Sequence, residues 1–232
     1  MSSDLNAEEF ARLAAELHAA PSVTETAEQV VGYAREQLDA DHAGITLIQR
    51  GGRLKTVAPT SDVVVKVDEL QYELKEGSCV DSAWEGETLR APRLATDPRW
   101  PKWGPRAAAL GVASVLAISL PDVGGRRVGA LNLFWEQSRE FSEDEVAFAH
   151  VFGRHAAVAL ATTLQETNLR IALDTRKRIG QAQGILMERF GLDADQSFQV
   201  LRRYSQDHNR KLREVAEDLV LTRRLPSQSP PA

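Results

Sequence analysis

The chain has 232 residues, 43% hydrophobic and 26% charged, the proportions of a globular protein with room for one or two cores. No apolar run reaches the roughly 18 to 20 residues that span a bilayer, the amino terminus (Met1-Ser2-Ser3-Asp4) has no signal region, and a cytoplasmic protein is expected. The single cysteine, Cys79, excludes an internal disulfide and a cysteine zinc cluster, and the net charge of −5 is uneven: residues 170–224 hold 12 Lys and Arg against 8 Asp and Glu, net +4, which leaves −9 for the rest. Only the C-terminal part suits a polyanion.

Phe10, Leu13, Ala14 and Leu17 keep helical spacing and predict a helix from Asn6 to Ala19, interrupted by Pro21. Ser22 to Leu38 follows as a second helix with Ala27, Val30, Val31, Ala34 and Leu38 on one side, ended by Asp39-Ala40-Asp41. Ala43–Gln49 and Leu54–Ala58 read as a hairpin around Arg50-Gly51-Gly52-Arg53. The stretch from Ser61 to Arg106 is less regular and is expected to hold short helices and long loops over one face of a sheet. Val115–Leu120 and Arg127–Trp135 read as two more strands around Asp122-Val123-Gly124-Gly125.

Ser142 opens a helix with a capping box to Glu145. Its apolar pattern runs through Val146, Ala149, Ala156, Leu160, Leu164, Leu169 and Leu173 without a proline, and Gly153 is its one early weak point. A helix continuing to about Phe190 would be roughly 70 Å long at 1.5 Å per residue, more than one small domain covers, so the same helix of a second subunit is the expected partner and the protein a homodimer.

Three amphipathic helices are read in the C-terminal part. Ile179, Ala182, Leu186 and Phe190 form the first stripe, and Gly191 ends it. Asp193 caps the second helix, with Gln196 completing a capping box, and Phe198, Leu201 and Ser205 form its stripe. After Asp207-His208-Asn209, the third carries Leu212, Val215, Ala216 and Leu219, with Arg210–Glu214 spaced to pair on its exposed side. Gly180 and Gly184 each cost a helix roughly 1 kcal/mol against alanine, which implies close approach of another helix.

Up to residue 165 these elements give an α+β domain with an antiparallel sheet and flanking helices. The stretches Gln71 to Trp84, Asp97-Pro98-Arg99-Trp100 and Leu110 to Leu116 resemble a GAF domain over about residues 8 to 165. The resemblance implies a sensor domain of a family that often has a small-molecule pocket in front of the sheet, so a small-molecule ligand is a possible partner, but the family name fixes no ligand or cofactor. Ala182-Gln183-Gly184-Ile185-Leu186-Met187, Leu201, Ser205, Asn209-Arg210-Lys211-Leu212 and Val215-Ala216 resemble the ANTAR domain, with Ser197 where members often carry alanine. The expected domains are a GAF sensor over 1–165, a three-helix ANTAR domain over 166–226 joined through a connecting helix of about 142–190, and a disordered tail over 227–232. The ANTAR resemblance implies a transcription antiterminator that binds paired RNA hairpins in a nascent leader transcript, under control of the GAF domain. A DNA-binding transcription factor with a helix-turn-helix variant is the alternative.

The residues expected to face RNA are Arg176, Lys177, Arg178, Gln181, Arg189, Arg202, Arg203, Arg210, Lys211 and Arg213, with Tyr204 as the aromatic that could stack on a base. Cys79, Trp84, Trp100 and Trp103 are the candidates for the GAF pocket. Cys79 reads as a small buried residue, since Val80 follows it where bilin-binding GAF domains place histidine, and the tryptophans either line the pocket or cap the core. His150 and His155, five apart, fall on different sides of a helix and do not suggest a shared metal. No Gly-rich phosphate loop, serine nucleophile elbow or supported carboxylate pair argues for an enzyme.

Overall fold

In the computed structural model, which describes residue 20 and residues 22–49 and 51–225, the first helix α1 (Val23–Gln37) begins where the Ser22 hydroxyl accepts from the Glu25 N–H at 3.2 Å. Then come β1 (His42–Ile48), β2 (Leu54–Val57), α2 (Asp62–Leu74), α3 (Ser78–Glu85), β3 (Leu89–Ala91), a short 3-10 turn (Leu94–Thr96) and α4 (Trp103–Ala109). The chain continues through β4 (Ser114–Pro121), β5 (Arg127–Trp135), α5 (Glu143–Phe190), α6 (Ala194–Asp207) and α7 (Leu212–Thr222). The expected helix before Pro21 and the tail over 227–232 lie outside the described residues.

The chain divides into two compact units that meet at Gln165 and Glu166. The first is built on a five-stranded antiparallel sheet in the order β2-β1-β5-β4-β3. Four of these strands match the sequence reading. The fifth, β3, pairs Arg90 with Leu116 and has only three residues, too few for alternation to register. Within 61–106, α2 is a helix of 13 residues, longer than expected; Val63-Val64-Val65 hides its period behind a β-branched run.

Period-2 alternation sends Ile45, Leu116, Ile118, Leu131 and Leu133 to one face of the sheet. There they pack on Val30, Val31 and Ala34 of α1 and on Ala149, Phe152, Ala156 and Leu160 of α5. Ser142 starts α5 with the expected capping box: its N–H donates to Glu145 at 2.8 Å and its hydroxyl accepts from the Glu145 N–H at 3.2 Å. Gly153 is no weak point, because a Cβ there would stand 2.5 Å from Ile118 Cγ2; the glycine is what lets α5 lie close on the sheet.

In the second unit, the C-terminal part of α5 with α6 and α7 buries Ala182, Leu186, Leu201, Val215, Ala216 and Leu219. Asp193 and Gln196 close their capping box, with Gln196 N–H to Asp193 at 2.7 Å and Asp193 N–H to Gln196 at 3.1 Å. Two stripes differ from expectation. On α6 Leu201 is buried as expected, but beside Ser197, with Val200 and Tyr204 packed half-buried on that core; Phe198 is half-buried outside it, and half-buried Ser205 donates to Arg210 O at 2.6 Å. Ser197 is fully buried, and its hydroxyl donates to Ala194 O at 2.9 Å. Phe190, expected inside, is 59% exposed.

Candidate functional site

The front of the sheet in the first unit is built differently from the back. Opposite the leucines and isoleucines, the same strands carry Thr46, Ser119, Ala130 and Asn132, with Thr46 and Ser119 flanking Ala130 in register. α2 and α3 pack over this small, polar patch. The buried carboxylate of Asp68 accepts from the Thr56 hydroxyl at 2.7 Å and from Gln71 Nε2 at 3.1 Å, and the Cys79 thiol also hydrogen-bonds it. Gln71 Oε1 accepts the Cys79 N–H at 2.8 Å. The Tyr72 hydroxyl lies 2.8 Å from that of Thr56 and 3.1 Å from that of Thr46, which accepts from Asn132 Nδ2 at 3.1 Å. Three buried atoms in this region, Asn132 Oδ1, Ser119 Oγ and Ser78 Oγ, have no hydrogen-bond partner.

Burial raises the Asp68 carboxyl to about 7, against the hydrogen bonds from Thr56, Gln71 and Cys79 that favour its charged form. Burial and then the nearby Asp68 push the Cys79 thiol well above its ordinary value, which suppresses the thiolate that a nucleophile or metal ligand requires. Burial likewise raises the Tyr72 hydroxyl.

The four pocket candidates do not come together. Cys79 belongs to the polar cluster. Trp100 and Trp103 are wholly buried and meet edge to face at 5.4 Å, with Trp100 Nε1 donating to Asp81 at 2.7 Å and Trp103 Nε1 to Val67 O at 3.2 Å. They fill the core between the sheet front, α2 and α4 alongside Val64, Val67, Val115 and Phe134. Trp84 is 42% exposed and lies near Gly52 in the β1–β2 turn.

In the second unit Arg176, Lys177, Gln181, Arg189, Arg202, Arg203, Lys211 and Arg213 are exposed, while Arg178 and Arg210 are half-buried. Arg210 is held by Asp218 at 2.6 Å and Glu214 at 3.8 Å, and Arg203 pairs with Asp207 at 3.7 Å. Tyr204 is half-buried and stacks on His208, centroids 5.6 Å apart. Arg189 donates to Arg223 O at 2.8 Å across a groove of about 600 Å³ between α5 and α7, lined by Gln181, Gly184, Ile185, Glu188 and Val220. A Cβ at Gly180 or Gly184 would have nothing within 4 Å, so neither glycine serves the helix contact expected of it within this chain.

A family model for the GAF domain matches residues 20–161, more than half of the chain. The chain belongs to the GAF family. An ANTAR-domain model matches residues 167–220, so the GAF domain is followed by an ANTAR domain, a sensor-and-regulator architecture. No curated protein matches the chain in sequence. The GAF fold is similar to that of the GAF domain of an Acinetobacter phosphoenolpyruvate-protein phosphotransferase, at 16% identity over 72% of this chain and 99% of that one, with a TM-score of 0.55. It is similar also to the corresponding GAF domain from Coxiella burnetii, at 20% identity over 72% and 99%, TM-score 0.55. Free methionine-R-sulfoxide reductase from Neisseria meningitidis gives 14% identity over 72% and 96%, TM-score 0.54. At these identities the likeness concerns the fold alone.

Two features of the GAF and ANTAR domains escaped the sequence reading. Asp68 was overlooked, although an acid beside Val64, Val67 and Gln71 on the buried side of a helix is the available signal. Arg223 and Arg224, just past the third ANTAR helix, join Arg189 only once α7 folds back along α5. Among the described residues no group of three or more His, Cys, Asp or Glu could hold a metal ion, and no helix is long and apolar enough to cross a membrane.

Proposed function

We propose that this protein is an RNA-binding transcription antitermination regulator, in which a signal sensed by the GAF domain controls how the ANTAR domains of a homodimer hold paired hairpins of a nascent leader transcript. Holding the hairpins keeps the overlapping terminator stem from forming. No bond is made or broken, and binding energy alone shifts the RNA equilibrium. The observation that carries this reading is the ANTAR match over residues 167–220, on a segment whose charge is positive in an otherwise acidic chain. Arg176, Lys177, Arg178, Gln181, Arg189, Arg202, Lys211 and Arg213 are its RNA-contacting residues. Arginines bind phosphate bidentately or stack on unpaired bases, and single-stranded loops are where RNA is usually read.

On the sensor side, Asn132 Oδ1 and Ser119 Oγ suit a small polar ligand that brings hydrogen-bond donors to the sheet front. The homodimer forms along α5. Val151, Val158 and Leu169 are exposed at successive intervals of seven and eleven residues, both of which return to nearly the same side of a helix.

The test is competition at matched salt. Single hairpin RNAs should displace a labelled hairpin from the full chain, and duplex DNA should not; affinity should fall steeply with salt, and Lys211→Ala with Arg213→Ala should weaken binding while leaving the thermal midpoint unchanged. Preferential displacement by duplex DNA would replace this reading with a DNA-binding transcription factor.

A further inference from the structure

We infer, resting on the RNA-binding reading above, that the groove between α5 and α7 receives an unstacked base of the bound RNA, with the Arg189 guanidinium as its stacking surface. The groove has the make-up of a base slot. Its floor is apolar, from Ile185 and Val220, and its walls offer the Gln181 amide and the Glu188 carboxylate to the polar edge of a planar ring. Its volume of about 600 Å³ admits a base together with its sugar.

On the slot's wall the Arg189 side chain is exposed. The Arg223 carbonyl holds that guanidinium at 2.8 Å, and Arg223 owes its place to a left-handed backbone (φ 58°) at the end of α7. A fixed guanidinium plane is a surface on which unpaired bases stack, and every base has a face to offer it. Tyr204 is already stacked on His208.

Charge identifies the occupant as a polyanion rather than a second copy of an apolar helix. Arg189, Arg223 and Arg224 gather at this end of α5 and α7 in a segment of net charge +4, while Arg203 on α6 and Arg210 between α6 and α7 are engaged by Asp207, Glu214 and Asp218. The open backbone at Gly184 then has a use: it leaves the slot unobstructed where any other residue would project a side chain.

The experiment uses the full chain and a pool of RNA hairpins with a fixed stem and a randomised loop. Hairpins selected on the wild type are titrated against Gly184→Leu and Arg189→Lys, which keeps the charge and removes the guanidinium plane, and again with single loop bases replaced by abasic sites. A Cβ at Gly184 meets nothing within 4 Å and leucine favours the helix, so the thermal midpoint of Gly184→Leu should equal or exceed the wild type's while affinity falls about tenfold or more. Arg189→Lys should also lose affinity, and that loss should vanish on the hairpin lacking the one base that occupies the slot. Wild-type affinity in both variants would overturn the slot and leave the RNA reading intact. A loss of affinity accompanied by a change of oligomeric state would make the groove a subunit interface and overturn the slot as well. A wild type that selects no hairpin from the pool would overturn the RNA reading itself.

Discussion

Asp68 has only neutral partners in its hydrogen bonds, two hydroxyl- or amide-bearing side chains and a thiol, and it is completely buried. Its carboxyl therefore titrates near pH 7 in the fold and near 3.8 in the unfolded chain. Between these values the unfolded state releases a proton that the folded state keeps, so stability declines as pH rises from about 4 to about 7, and the penalty is complete above that. Asp68→Asn removes the titration. The stability difference between variant and wild type should shift in the variant's favour from pH 5 to pH 8, by an amount on the order of a few kcal/mol. Chemical denaturation at both pH values checks this, and parallel curves would mean that Asp68 does not titrate in this range. Trp100 is the contrasting case. It sits in a packed core, so Trp100→Ala should cost about 3 to 5 kcal/mol at either pH, measured in the same way.

The elements differ in how plainly the sequence announces them. Helices that cover the back of the sheet carry wide apolar stripes, and both capping boxes sit where Ser142–Glu145 and Asp193–Gln196 place them. The front of the sheet was illegible because its pattern is small and polar: Thr46, Ser119 and Asn132 look like solvent-facing positions until α2 and α3 cover them. On α6 apolarity alone favours Phe198, whereas the side chain that is fully buried is the small Ser197. The α5 stripe mixes two roles. Leu160 is wholly buried in the GAF core, so a charge there would unfold the domain and report nothing about assembly. Val158 and Leu169 face outward, and Val158→Glu with Leu169→Glu should convert dimers to monomers in analytical ultracentrifugation without lowering helix content. Dimers that persist would put the seam on another surface.

At the scale of the whole molecule, the GAF and ANTAR domains share α5, whose residues Glu143–Phe190 run past the division at Gln165 and Glu166 without a proline. In the proposed homodimer this would tie two ANTAR domains to one seam, so that paired hairpins on one transcript would bind in two steps. The second step is intramolecular, with an effective concentration set by how well the spacing of the two sites matches the RNA; avidity of this kind reaches about 10² to 10⁴ over a single site. A flexible insertion in α5 keeps every RNA contact and relaxes only the presentation. Glu166 is an exposed place for it, whereas Thr163 is buried and lies 3.2 Å from the Thr26 hydroxyl. With a short Gly-Ser insertion after Glu166, affinity for a single hairpin should stay at the wild-type value. Affinity for a transcript carrying two hairpins should fall toward it, and the dependence on the length of RNA between the hairpins should flatten, both measured by titration on immobilised RNA. If the insertion leaves the two-hairpin advantage and its spacing dependence untouched, α5 transmits no geometry from the GAF domain, and a signal sensed there reaches the RNA by some route other than the helix the two domains share.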